Sequence, residues 1–139
     1  MTVQTQSVQL QTQGHAEVID ITSQVAEQIK KTDLQNGIVT IFTPSSTSAL
    51  TTLEYEPGCV KDLQRLFDEI LPPGREYAHN ERWHDGNGHS HARAALLKAS
   101  FTVPFVDQRL QLGTWQQIVF VDFDNKSRRR ELVLQVMGE

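Results

Sequence analysis

The chain is poor in the residues that staple or anchor a small fold. Cys59 is the one cysteine in 139 residues, so no internal disulfide can form, and a lone thiol suits a reducing compartment. No apolar run approaches the ~20 residues needed to cross a bilayer. The opening MTVQTQSVQLQTQ lacks the charged and apolar regions of a secretory leader. A cytoplasmic protein with no membrane partner is expected. Charged residues make up 22% of the chain, with a net charge of −4, which leaves no electrostatic footprint for nucleic acid. Arg128-Arg129-Arg130 is the one basic run, a patch rather than a groove. Repeats, low-complexity tracts and linkers are also missing, and 139 residues suffice to bury a core. The reading is a single domain over 1–139.

What is present alternates between a period of two and one near 3.6. VQTQSVQLQTQ and AEVIDIT lean to strand. SQVAEQIKKTDLQNG predicts a helix with Val25 and Ile29 on one face, Thr22 or Ser23 as cap, and Asn36-Gly37 as its stop. GIVTIFTP is too short for a helix and reads as a buried strand ended by Pro44; SALTTLEY reads as another. From Pro57 the apolar residues Val60, Leu63, Phe67 and Ile70 recur at helical spacing up to Pro72-Pro73. SHARAALLKA predicts a third helix. Three closing strands follow, FTVPFV, QIVFVDFD and ELVLQVMG. The second is apolar on most of both faces, as in a central strand, and Asp124-Asn125 is expected to begin a tight connection to the third. The order ββαββααβββ predicts α+β architecture, a mostly antiparallel β-sandwich with two to three helices.

Three stretches carry candidate chemistry. YAHNERWHDGNGHSHARAAL holds four of the five histidines: His79, His84, His89 and His91. Neutral imidazole is the commonest protein ligand for zinc and related metals. His89 and His91 point to one side only if the segment is extended, because a helix separates positions i and i+2 by about 200°. Gly86 and Gly88 are expected to keep DGNGHSH irregular. The density favours a metal or anion site over a solvated loop, with His79, His89 and His91 converging on a divalent ion, expected to be zinc. A second stretch, TPSSTSALTTLEYE, offers the hydroxyls of Ser45, Ser46 and Thr47 as an anion cradle, although composition alone favours a turn stabilised by its own side chains. Glu54 and Glu56 are candidate ligands or bases, or carboxylates complementing a helix dipole. Cys59 lacks a catalytic motif. Third, LGTWQQIVFVDFDNKSRRR places Thr114, Trp115 and Gln116 at a strand start, as in a pocket wall or around a structural tryptophan. Its arginines suit a phosphate or a solvated end.

Taken in order, GIVTIFTPSSTSALTTLE, the histidine segment, Phe101-Thr102-Val103-Pro104-Phe105 and LGTWQQIVFVDFDNKSRRRELVLQV resemble the YjbQ family, also described as secondary thiamine-phosphate synthases. The resemblance covers about residues 10 to 138, and LGTWQ is its most specific part. It implies a small α+β sandwich assembled as a homotrimer, with the site near subunit contacts. The implied activity is weak thiamine-phosphate synthesis, which joins an aminopyrimidine methyl diphosphate to a thiazole phosphate with loss of pyrophosphate. Family positions fall on His79, Asn87, His91, Glu54 and Gly113 to Gln116. Where many members carry histidine after Pro44, this chain carries Ser45, and His84 or His89 is expected to take that place. The combined expectation is a histidine-lined pocket for a small phosphorylated substrate. Glu54 and His91 would be catalytic, while Ser45, Ser46, Thr47, Asn87, Thr114, Trp115 and Gln116 would bind substrate. Metal-assisted phosphate-ester hydrolysis and a non-catalytic metal- or ligand-binding module are the alternatives.

Overall fold

A computed structural model describes residues 1–139. The strands and helices, in chain order, are β1 (Thr2–Thr12), β2 (Glu17–Asp20), α1 (Thr22–Lys30), β3 (Gly37–Phe42), β4 (Ser48–Leu53), α2 (Pro57–Ile70), α3 (Ala78–Trp83), α4 (Gly88–Leu97), β5 (Ser100–Val106), β6 (Arg109–Leu110), β7 (Gln117–Asp122) and β8 (Arg128–Gly138). The α+β reading holds. The helices number four rather than two or three, since α3 forms inside the segment read as a loop, and the two-residue β6 adds a strand.

Two antiparallel sheets form the body, one in the order β1-β8-β3-β5-β6 and one in the order β2-β7-β4. β7 is the centre of the smaller sheet, and its alternation explains the layers. Ile118 and Phe120 join Val39, Ile41, Leu132, Leu134 and α1's Val25 and Ile29 between the sheets. Val119, Val121 and Phe123 pack on the other side with Ala49, Phe67 of α2 and Ala94 of α4. A strand buried on both faces reads as a continuous apolar run for this reason.

Three local expectations are corrected. Asp124-Asn125 does not begin a hairpin, because β7 and β8 belong to different sheets and the intervening residues carry the chain across. Nor does Asn36-Gly37 stop α1, which ends at Lys30 with a right-handed cap at Lys31. Gly37 instead lies where a Cβ would strike the backbone of Met137, so it permits the close pairing of β3 with β8. Asp20, not Thr22 or Ser23, accepts the Thr22 amide at the start of α1, at 2.9 Å. No helix is long and apolar enough to cross a membrane.

Candidate functional site

The histidine segment is ordered by a close helix crossing. At Gly88 an added Cβ would lie 2.5 Å from Tyr77 Cβ, so glycine lets α4 begin against the chain entering α3. Asn80 Oδ1 accepts the Gly88 amide at 2.8 Å. His84 ends α3 in the left-handed region, with φ 56°. Because α4 starts at Gly88, His89 and His91 both ride on a helix and cannot share a side. His91 turns toward His79, their ring centroids 4.3 Å apart. His89 turns inward, 5% exposed, beside Tyr77 with centroids 6.3 Å apart. The expected convergence of three histidines is therefore not formed: His89 is buried, and His84 is exposed.

Burial pushes the pKa of His89 below the ordinary histidine range, reinforced by Arg93 and His15, and its Nδ1 has no hydrogen-bond partner. Burial likewise lowers His91, helped by the neighbouring His79. At neutral pH His91 is a neutral imidazole. His79 Nε2 lies 3.2 Å from Asp85 Oδ2. The Asn87 amide closes the group and fits in two ways. Turned one way, its nitrogen reaches Asp124 Oδ1 at 3.3 Å and its oxygen faces Asp85 and His79. Turned the other way, that end becomes a donor 2.9 Å from Asp85 Oδ1 and 3.0 Å from His79 Nε2. The second orientation satisfies more groups in a metal-free site. No three histidine, cysteine or acidic side chains gather closely enough to hold a metal by themselves.

Beside His91 lies a polar cleft of about 360 Å³, walled by Ser45, Ser46, Thr47, Arg128 and Arg130, with Asn87 and Asp124 behind. The 45–47 loop is a self-bonded turn, since the Thr47 amide donates to Ser45 Oγ at 3.2 Å. It is also a docking point for Arg130. That guanidinium grips Asp122 through Nε at 2.8 Å and Nη2 at 3.0 Å. It donates further to Ser45 Oγ at 3.0 Å and Thr47 Oγ1 at 2.9 Å. Arg128 Nε donates to Asp124 Oδ2 at 2.9 Å. Burial alone would raise Asp124, but the Asn125 amide and Arg128 hold its carboxyl below the usual range. Asp122, Asp124 and the pairing of Arg130 with the hydroxyl loop escaped the sequence reading. The alternation of Arg128, Arg129 and Arg130 along β8 was the signal that one side of the run points inward.

Glu54 and Thr114 to Gln116 are not in this cleft. Glu54 follows β4 at its far end, roughly 20 Å from Thr47 at strand rise. There the Cys59 thiol lies 3.8 Å from Glu54 Oε2. Glu56 caps α2 by accepting the Gly58 and Cys59 amides, and its hydrogen bond to the thiol, with partial burial and nearby carboxylates, pushes Cys59 up to about 11. Such a thiol is no nucleophile. Trp115 is 73% exposed, so it is not a buried structural tryptophan. Gln116 donates to Thr52 Oγ1 at 3.2 Å and accepts the Gly113 amide at 3.1 Å.

Known proteins share the sequence and the fold. Residues 6–139 match the family model described as UPF0047 protein YjbQ-like. A UPF0047 protein of Methanothermobacter thermautotrophicus is 38% identical over 130 residues, covering 94% of this chain and 90% of that one. YugU of Bacillus subtilis is 35% identical over 133 residues, covering 95% and 98%. Among solved structures, a hypothetical protein of Aeropyrum pernix superposes with a TM-score of 0.90 at 33% identity, covering 98% and 99%. A protein of unknown function from Sulfolobus solfataricus gives 0.89 at 31%, covering 99% and 100%. Sequence identity, superposition and coverage from end to end converge: the chain belongs to the YjbQ-like UPF0047 family.

Proposed function

We propose that the chain binds a small phosphorylated molecule between the 45–47 loop and α4, and supports weak thiamine-phosphate synthase-type chemistry there. One observation carries the binding. Ser45 Oγ already accepts from Arg130 Nη1 and from the Thr47 amide, so its remaining capacity is its own O–H, a donor beside the cleft. An acceptor-rich phosphate is the matching ligand. Arg130 and Arg128 are both paired, with Asp122 and Asp124, so the part of Arg130 is to hold Ser45 and Thr47 in place, while half-exposed Arg128, bonded to Asp124 through Nε, offers its remaining N–H groups at the rim. In the reaction, the bond from the aminopyrimidine methylene carbon to the diphosphate oxygen breaks, and its electron pair leaves with pyrophosphate. The thiazole nitrogen then supplies the pair for the new C–N bond. No proton need be lost from the attacking nitrogen, so the residues act by holding the departing charge.

The far group, Glu54 with Thr114 and Trp115, requires a neighbour to reach this cleft. A homotrimer supplies one, with that end of one protomer completing the cleft of the next. Val3, Met137 and Ile38, paired in register across three strands, are exposed and suit burial between protomers.

A second reading, of a divalent ion such as zinc at His79 and His91 with Asp85 and Asn87 beside them, draws on the 4.3 Å approach of the two imidazole rings and the Asp85 carboxylate at His79. Such an ion would polarise phosphate oxygens. Zinc titration with and without the Asn87→Leu substitution tests it: no stoichiometric uptake by the parent chain excludes it. The main test incubates the protein with the aminopyrimidine diphosphate and thiazole phosphate and identifies the products. Thiamine phosphate with equimolar pyrophosphate, lost in His91→Ala at unchanged melting temperature, is expected. Inorganic phosphate alone means hydrolysis, and saturable binding without product means a non-catalytic module.

A further inference from the structure

Lys98 ends α4 with φ 91° and ψ 157°, a region that essentially only glycine occupies without strain. The five other non-glycine residues of positive φ have values of 49–63°, in the ordinary left-handed turn region. The geometry at Lys98 is imposed from both sides. Its N–H donates to Ala94 O at 2.9 Å, closing α4, and its carbonyl accepts the Leu50 amide at 3.1 Å, tying the helix end to edge strand β4. Any residue placed here must adopt that conformation, and glycine would do so most easily. A lysine calls for an explanation in its side chain.

That side chain stands at a junction. On one side is a cleft of about 340 Å³ that Lys98 shares with Ser45, Ser46 and His91. On the other, a trough of about 390 Å³ runs along β4 toward Gln116. The trough is mixed in character: Leu50, Phe101 and Leu112 give it apolar wall, while Thr52, Gln111 and Gln116 give it hydrogen-bonding groups. Lys98 forms no ion pair with any carboxylate of the chain. The alanines of α4 make the first cleft largely apolar, and Ser45, Ser46 and His91 join it to the polar cleft beside Arg130. An unpaired ammonium between those hydroxyls and the trough along β4 suits a ligand with an anion at one end and an organic body at the other.

We infer that Lys98 is a specificity-determining residue: its ammonium holds the bridging or second phosphate of a diphosphate ester, and the trough along β4 receives the ester's heterocyclic organic body. This rests on the phosphate-binding reading above and adds the residue and surface that select the rest of the ligand. It also gives Gln116 a place, as a hydrogen-bonding group at the far end of the trough within the same protomer.

The test is calorimetric binding of inorganic pyrophosphate, and of the aminopyrimidine methyl diphosphate, to the parent chain, Lys98→Gly and Gln116→Trp, with melting curves on the same preparations. The parent chain is expected to bind the diphosphate ester at least tenfold tighter than pyrophosphate. Lys98→Gly is expected to melt higher, because the strain is relieved, yet to bind both ligands at least tenfold more weakly. A merely structural lysine would not give that opposition of signs. Gln116→Trp, which fills the trough, is expected to remove the ester's advantage and leave pyrophosphate binding intact. Undiminished binding by Lys98→Gly overturns the inference while the phosphate reading stands. Equal affinity of the parent chain for the two ligands overturns the trough assignment. If the parent chain binds neither ligand, the phosphate reading falls and this inference with it.

Discussion

His89 and Ser45 show how much a single side chain's surroundings decide. His89 belongs to the densest imidazole segment of the chain, yet it is buried and its Nδ1 has no partner. Its folded pKa lies below the ordinary value, from burial first and then from Arg93 and His15, so the unfolded chain takes up the proton first. The stability this contributes is complete above about pH 6.5 and is lost as pH falls from there through the lowered folded value. His89→Leu is therefore expected to flatten the fall in melting temperature between about pH 7 and pH 5. His91 contributes with the same sign, so a slope should remain. A variant curve parallel to the parent's would show that His89 titrates alike in both states. Ser45 is the complementary case. Ser45→His puts an imidazole into a cleft it shares with His91 and removes the hydroxyl held by Arg130. Zinc affinity is expected to rise at least tenfold, or about 1.4 kcal/mol, and phosphate affinity to fall. Unchanged zinc titration would place position 45 outside the ligand shell.

At the scale of elements, α2 and α4 were legible where periodicity reports burial and misread where packing overrode it. The spacing of Val60, Leu63, Phe67 and Ile70 located α2 to within a residue, because a repeating apolar stripe is what a helix presents to a core. Only Phe67 of that stripe is fully buried, and Ile70 is 39% exposed. Phe67 meets Phe123 edge-on at 4.8 Å, with the buried Arg93 guanidinium 5.9 Å from each ring. Phe67→Ala is expected to cost about 3–5 kcal/mol, seen as a lowered denaturation midpoint, with phosphate binding per folded molecule retained because the cleft lies across α4. A loss below about 1 kcal/mol would mean the second core collapses onto the vacancy. α4 was misread at its start. Glycines near position 86 suggest an irregular chain, but Gly88 serves a close approach to Tyr77, and the helix begins there.

For the whole molecule, the five-stranded sheet leaves Val3, Ile38, Phe42 and Met137 exposed on its outer face, and the predicted site residues fall at two ends of β4. Both features fit the proposed homotrimer, in which closed symmetry covers surfaces that a single copy leaves open. Light scattering at micromolar concentration is expected to give about three times the 15.7 kDa chain mass. A mass near the single chain would require Glu54 and Trp115 to act outside the cleft or not at all.

The sequence by itself determined the family, the α+β class and nearly every element. These depend on local period and composition, which a chain carries wherever its neighbours lie. β7 is the clearest case: Ile118 and Phe120 face one core while Val119 and Val121 face the other, as a run apolar on both sides requires. Only the tertiary structure decided which imidazoles meet. Two residues of helix separate His89 from His91 by a direction rather than a distance, and α4's start was set by Tyr77. Only the tertiary structure brought Arg130 to Ser45, 85 positions away, and held Lys98 in a glycine's conformation between α4 and β4. Such pairings are fixed by packing between distant segments, and a local pattern records that a side is buried without recording what lies against it.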